Sequence, residues 1–452
     1  MGRPRTSWRC QQCGYSAPRW LGRCPDCGEY GTFVEEVEEP VSASASTPRA
    51  VPRTPIALGD VVASGAERTP TGIPEFDRVL GGGLVRGSLV LLAGEPGIGK
   101  STLLLQVAAA LGKRGSSVLY VCGEESAEQV KLRAGRVGAS EGISLLPETD
   151  IAVVESTALA ERPGLLIVDS VQTMADSELS GVPGSVGQVR ACAARLMSVA
   201  KREGITVLLV GHVTKEGVIA GPRVLEHLVD TVLSFEGERD HTLRIVRATK
   251  NRFGSVSEIG IFEMEEAGLR AVGQASGTLL AGRTEDVAGS CVMVALEGSR
   301  PILVEVQALV TPSYLQMPRR LATGIDTSRM LQVLAVLERR AGLAFGQHDV
   351  YVSIAGGVRI AEPGIDLPLA LALASARTDH PVSSGVVAFG ELGLTGELRG
   401  VRQAEARLRE AVRLGFTTAV FAPGRTREVP DGITAMQPRL VGDALAGTGV
   451  RG

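Results

Sequence analysis

Residues 89–102 read Leu-Val-Leu-Leu-Ala-Gly-Glu-Pro-Gly-Ile-Gly-Lys-Ser-Thr, an apolar run that breaks into glycines and ends on a lysine and two hydroxyls. The apolar half, Leu89–Ala93, predicts a buried strand, and Thr102–Leu111 predicts the helix after it. Between them, Gly94-x4-Gly99-Lys100-Ser101 is a complete phosphate-binding loop in its strand, loop and helix context. Its glycines let backbone amides wrap a phosphate, so Gly94, Glu95, Pro96, Gly97, Ile98, Gly99, Lys100, Ser101 and Thr102 are the expected nucleotide contacts. Lys100 is expected to reach the β- and γ-phosphate oxygens and Ser101 to ligate magnesium. The expected cofactors are ATP and Mg2+, and the expected reaction is ATP hydrolysis.

Outward from this loop, short apolar runs alternate with helical stretches from Leu58 to about Val272: Val118–Cys122, Leu165–Val168, Thr206–Val210, Thr231–Phe235 and Thr242–Ala248. Such alternation predicts an α/β layer on a largely parallel sheet. A magnesium-side carboxylate belongs at the end of a second buried strand, and Leu165-Leu-Ile-Val-Asp169 supplies it. The acid that orders or deprotonates water is sought in Gly123-Glu124-Glu125, with Glu124 the better candidate and Glu125 the second. Either glutamate also fits a plain helix N-terminal charge.

Four of the seven cysteines lie near the N-terminus, as Cys10-Gln-Gln-Cys13 and Cys24-Pro-Asp-Cys27. Two such knuckles, each followed by a glycine, suit a tetrahedral Zn2+ held by four thiolates. Cys122, Cys192 and Cys291 stand alone in apolar surroundings and are expected to be buried small hydrophobes. A Ser/Ala/Pro-rich stretch follows the knuckles and reads as a linker. The expected division is a zinc module over 1–34, a linker over 35–57, an ATPase domain over 58–272 and a further domain over 273–452.

With 44% hydrophobic and 21% charged residues, composition indicates a globular protein and excludes disordered and fibrous classes. A net charge of −3 excludes a generally basic nucleic-acid coat, though not a local basic channel. No apolar run approaches the roughly 18 residues of a membrane span, so no membrane partner and a cytoplasmic setting are expected.

Thr71-Gly-Ile-Pro-Glu-Phe-Asp-Arg-Val-Leu-Gly-Gly-Gly-Leu84, the phosphate loop, Gly123-Glu-Glu-Ser126 and Lys250-Asn-Arg-Phe-Gly254 together resemble the bacterial RadA family, also called Sms. The resemblance covers nearly the whole chain. It implies an α/β protein: a RecA-like P-loop ATPase core, a small N-terminal four-cysteine zinc module and a C-terminal Lon-protease-like α+β domain. It also implies a DNA-dependent ATPase of recombination and repair, working as a homo-hexameric ring that binds single-stranded DNA and branched recombination intermediates. A strand-exchange recombinase is a further implied partner. Lys250 and Arg252 are implied to act near the nucleotide across the subunit interface; by residue type alone they could be solvated strand-end charges. In the implied ring two loops face the channel, Asp176–Arg190 and Thr214–His227, with Arg190, Lys215 and Arg223 as the cations for phosphates. Neither loop carries an aromatic, so little base preference is expected. His212 resembles the family's link between γ-phosphate and DNA loop, and also fits a satisfied strand-end histidine.

The Lon-like resemblance raises a protease as rival. Lon-type hydrolysis pairs serine with a lysine base, yet residues 251–452 contain no lysine, and arginine does not give up a proton near neutrality. The segment Glu362-Pro-Gly-Ile-Asp366 offers no serine either. The domain is read as an assembly and DNA-contacting platform, with Arg319, Arg320 and Arg359 for phosphates. Within the ATPase reading, an ATP-gated scaffold or recombinase accessory without motor activity stays open beside a translocating or unwinding motor.

Overall fold

The computed structural model describes residues 5–10, 15–26, 28–38, 67–139, 141–179, 181–212, 224–237, 243–424, 426 and 428–450. The chain divides into two units, Met1–Glu236 with Arg244–Ala271, and Gly237–Leu243 with Val272–Gly452.

Near the N-terminus a three-stranded antiparallel sheet is ordered Ser16–Ala17, Arg5–Cys10, Phe33–Glu38. Its small core is Cys10, Ala17, Cys24 and Phe33, with Tyr15 edge-on to Phe33. The last strand runs to Glu38, past the boundary expected at residue 34, because Glu35–Glu38 pair with Arg5–Trp8. The expected linker began at residue 35, whereas strand pairing keeps residues 35–38 in the module.

The larger part of the first unit is built on a nine-stranded sheet. Its order is Gly268–Ala271, Ile259–Glu265, Leu243–Asn251, Thr231–Glu236, Leu89–Gly94, Thr206–His212, Leu165–Asp169, Val118–Cys122, Ile143–Leu146. The six strands from Thr231–Glu236 to Ile143–Leu146 are parallel. Their near-continuous apolar sequences follow from cover on both faces. Val90, Leu92, Leu208 and Val210 pack under the helix Lys100–Gly112, while Leu89, Leu91, Val207 and Leu209 pack against the helix Val186–Glu203. Cys122 and Cys192 are buried in these cores, as read from sequence, and burial pushes the Cys192 thiol up to about 12.

The strand expected over Thr242–Ala248 extends to Asn251, so Lys250 lies within it. A register shift between Val232 and Leu233 carries the pairing past Ala248, bringing Lys250 opposite Val232 and Asn251 opposite Thr231.

The second unit holds a seven-stranded mixed sheet ordered Arg320–Thr323, His348–Ile354, Arg300–Pro312, Ser290–Glu297, Val386–Phe389, Thr418–Phe421, Thr434–Met436. The helix Asp366–Thr378 is buried over its first ten residues, and Ala404–Arg413 contributes Leu408 and Ala411 to a core with Phe389 and Phe421. Arg407 is fully buried: its guanidinium forks onto Glu362 at 2.9 and 2.5 Å and donates to the Val294 carbonyl at 2.5 Å. Arg320, expected to meet phosphates, instead caps the carbonyls of Arg319, Phe345 and His348. Among the described residues no helix is long and apolar enough to cross a membrane.

Candidate nucleotide site and the opposite sheet edge

Parallel strands place their C-terminal ends along one edge, where open α/β sheets receive ligands. Here those ends carry the phosphate loop after Gly94, His212, Asp169 and, just beyond Cys122, Glu124. The strand Thr206–His212 sits between the loop strand and the Asp169 strand, pairing His212 with Gly94 and Leu209 with Val168. Sequence spacing alone does not give that order.

Gly99 caps the helix Lys100–Gly112 at φ 115°, and a Cβ there would lie 2.6 Å from Met264. Only glycine fits a left-handed residue under such close cover. No side chain caps this helix, so its first amides are open to an anion. Lys100 is buried and donates to the carbonyls of Gly94 and Glu95 at 2.8 and 2.9 Å, curled over the loop. Burial pushes its pKa down to about 8, against the opposing pull of Asp169, Glu124 and Glu95. A triphosphate would satisfy that buried cation, and the residues present fit the group.

Asp169 is buried and accepts a hydrogen bond from the Tyr120 hydroxyl at 2.6 Å. Burial, with Asp169 beside it, raises the Tyr120 pKa well above its usual value, so Tyr120 stays a donor that fixes the carboxylate. Glu124 accepts from Ser170 Oγ at 2.5 Å and lies 2.9 Å from His212 Nε2. The His212 hydrogen bond, then Ser170 and the charge of Lys100, hold its carboxyl down at about 2. Glu125 turns the other way, into an ion pair with Arg133 of the next helix. Of the two glutamates, the structure gathers Glu124 with Lys100, Asp169 and His212. Tyr120 and Ser170 carried no assigned role in the sequence: Tyr120 sits inside an apolar run that reads as core, and only the pairing of Cys122 with Asp169 brings its strand alongside.

Lys250 and Arg252 lie at the other edge. Val232 pairs with both Lys250 and Leu91, three residues before Gly94, which sets Lys250 about 10 Å down the sheet from the phosphate loop. The Lys250 ammonium caps the carbonyls of Glu226 and Val229, at 2.5 and 2.8 Å. Burial, with Arg252 close by, lowers its pKa. Arg252 pairs with the buried Asp230. Of the cations expected on channel loops, Arg190 lies instead on the helix Val186–Glu203, where it is exposed, while Lys215 and Arg223 fall outside the described residues.

In the N-terminal module Cys10 and Cys24 share one core, and each closes the same backbone hydrogen bond. Cys10 N donates to Tyr15 O and Cys24 N to Glu29 O, both at 2.8 Å and both across five residues. Thr32 Oγ1 stands 3.1 Å from Cys10 Sγ. Two buried sulfurs with matched backbone hydrogen bonds and a polar neighbour fit zinc, whose remaining ligands by sequence, Cys13 and Cys27, lie outside the described residues. Serine at both Cys24 and Cys27 should leave two thiolates and release about one zinc per chain. Metal analysis of parent and variant checks this, and a parent protein without zinc would refute the site.

A phosphate-loop strand with, on one side of it in the parallel sheet, strands ending in turn at His212, at Asp169 and just short of Glu124 defines a RecA-like P-loop ATPase core. The chain matches the family model described as AAA domain over residues 52–218, Rubredoxin metal binding domain over 8–35, and Subunit ChlI of Mg-chelatase over 320–424. Together they give an α/β protein with a zinc-ribbon module, an ATPase core and a Lon-like C-terminal domain. The DNA repair protein RadA of Bacillus subtilis is 48% identical over 98% of this chain and 99% of its own length. The DNA repair protein RadA of Streptococcus pyogenes is 49% identical, again over 98% and 99%, and that of Listeria monocytogenes 46% over 97% of each. The chain belongs to the RadA family of DNA repair proteins. A KaiC-like protein of Pyrococcus horikoshii aligns with 46% of this chain and 99% of its own at 21% identity and TM-score 0.38, too slight a likeness to add to the assignment.

Proposed function

We propose that this protein is a ring-forming, hexameric DNA-dependent ATPase that binds single-stranded DNA and moves along it to process branched intermediates of recombination. Lys100 and the loop amides hold the triphosphate, Ser101 and Asp169 hold magnesium, and Glu124, kept in place by Ser170 and His212, orders the attacking water. Bound magnesium neutralises phosphate charge. The observation that carries the ring is the division of the cationic groups: Lys100 lies at the nucleotide edge, Lys250 and Arg252 at the far edge, about 10 Å away along the strands. Cations placed there serve catalysis when the far edge of one subunit meets the nucleotide edge of the next. Arg190, Lys215 and Arg223, repeated around such a ring, would grip phosphates despite the net charge of −3.

Strand separation on a forked DNA tests the motor. Parent protein with ATP should open the fork and Lys100→Ala should not; ATP-dependent binding without opening in the parent would favour the scaffold or recombinase-accessory reading.

The C-terminal domain is proposed to be a platform without peptidase activity. Ser375 is fully buried, donating to the His380 carbonyl at 2.6 Å, and the Arg407 and Glu362 side chains are consumed by each other. Unfolded substrates with ATP should remain intact over hours, and peptide release lost on replacing Ser353, Ser375 or Ser383 would overturn this.

A further inference from the structure

Arg252 and Lys201 share one buried anion, Asp230. Asp230 opens the strand Thr231–Glu236 and is 2% exposed, yet it is bound from several sides. Its backbone N–H donates to the Leu89 carbonyl at 2.9 Å, while Leu89 N donates back to Asp230 Oδ2 at 3.1 Å. Lys201 Nζ lies 2.8 Å from the same oxygen. Arg252 uses the other side: Nη1 is 3.4 Å from Oδ1, and its backbone N–H donates to the Asp230 carbonyl at 3.1 Å. Phe253, the next residue, lies under Lys201, whose Nζ is 5.8 Å from the ring centroid. One carboxylate therefore joins the first residue of the phosphate-loop strand to the turn that carries Arg252, just past the strand that holds Lys250.

We propose that Asp230 is a positioning residue, whose buried carboxylate fixes the Arg252 turn relative to the phosphate-loop strand so that these cations meet the nucleotide of the adjoining subunit. This rests on the reading that Lys250 and Arg252 act across the interface. Arg252 alone is half-exposed on a flexible stem, and a long side chain held at one end of its fork loses less freedom when the neighbouring phosphate arrives. The carboxylate also offers a direct route for movement: any shift of the Leu89 strand is passed to the turn without an intervening loop.

Asp230→Asn keeps the shape and an acceptor for Leu89 N while removing the charge that holds Arg252. The expected result is unchanged ATP affinity and assembly, with DNA-stimulated kcat lowered at least ten-fold and KM for ATP within two-fold. On an Arg252→Ala background the same change should cost nothing further, since additivity is expected only of independent sites. Subunit mixing gives the second readout. Asp230→Asn mixed with Asp169→Asn should recover hydrolysis, because some interfaces then pair an intact turn with an intact nucleotide edge. Asp230→Asn mixed with Lys250→Ala should not, since both defects lie on the same side. Parent-level turnover in Asp230→Asn, or a full additional loss on the Arg252→Ala background, overturns the positioning role even if Lys250→Ala and Asp169→Asn subunits complement each other. Failure of that last pair to complement removes the interface reading itself. Should Asp230→Asn not fold, Asp230→Glu, which retains the charge on a longer stem, is expected to fold and to show the same kcat loss with KM unchanged; parent kcat there likewise overturns the proposal.

Discussion

Replacing Lys100 with alanine is expected to lower ATP turnover by about 10²–10³-fold, the usual cost of removing one preorganised charge-stabilising group. The residue is buried at the mouth of the loop with its ammonium on the Gly94 and Glu95 carbonyls, so it is already desolvated before nucleotide arrives. A triphosphate replaces two neutral acceptors with charged ones, and the gain grows as charge develops on the γ-phosphate. Alanine leaves the loop amides in place and weak binding with them. Steady-state hydrolysis with and without DNA, alongside nucleotide affinity, tests this; parent turnover in the variant would remove the whole assignment of the nucleotide edge. The same assay separates the two glutamates. Glu124→Gln should fall with Lys100→Ala, whereas Glu125→Gln should lose only its ion pair with Arg133, a partly exposed contact worth under about 1 kcal/mol.

The second large effect is expected at Lys250, where alanine should leave ATP and single-stranded DNA binding intact and abolish DNA-stimulated hydrolysis. Cations supplied to a nucleotide from a neighbouring chain are worth roughly 10³-fold or more in turnover. In the isolated chain the Lys250 ammonium rests on the carbonyls of Glu226 and Val229, which are neutral acceptors it can leave for a phosphate. Action across an interface has a signature that local structure lacks. Lys250→Ala subunits mixed with Asp169→Asn subunits should regain part of the hydrolysis that each lacks alone. Undiminished DNA-stimulated turnover in Lys250→Ala would return the segment to a solvated strand end, and a mixture as inactive as its components would exclude action between subunits.

Much of this was legible in the residues because the information is local. The phosphate loop needs consecutive residues of fixed type, so Gly94 to Thr102 declare both the turn and its ligand. Buried parallel strands need unbroken apolar runs, and Val118–Cys122 occupies the span its sequence predicts. The helix expected over Thr102–Leu111 is likewise found, as Lys100–Gly112, and thiol spacing carried the N-terminal metal-binding module.

What the sequence left open depends on register between distant segments. Nothing in residues 206–212 announces that this strand lies between those ending at Gly94 and Asp169, and that placement is what brings His212 to Glu124. The sequence ranked Glu124 ahead of Glu125 but kept both, since adjacent residues leaving a strand point apart and the packed neighbours, Ser170 and His212 on one side and Arg133 on the other, are what distinguish them. Lys250 and Arg252 read as charges after a strand. Their position at the edge away from the phosphate loop, with Arg252 braced by the buried Asp230, was decided by the antiparallel pairing of residues 231–236 with 243–251, because hydrogen-bond register between strands is fixed by the folded sheet and leaves no local mark on either segment.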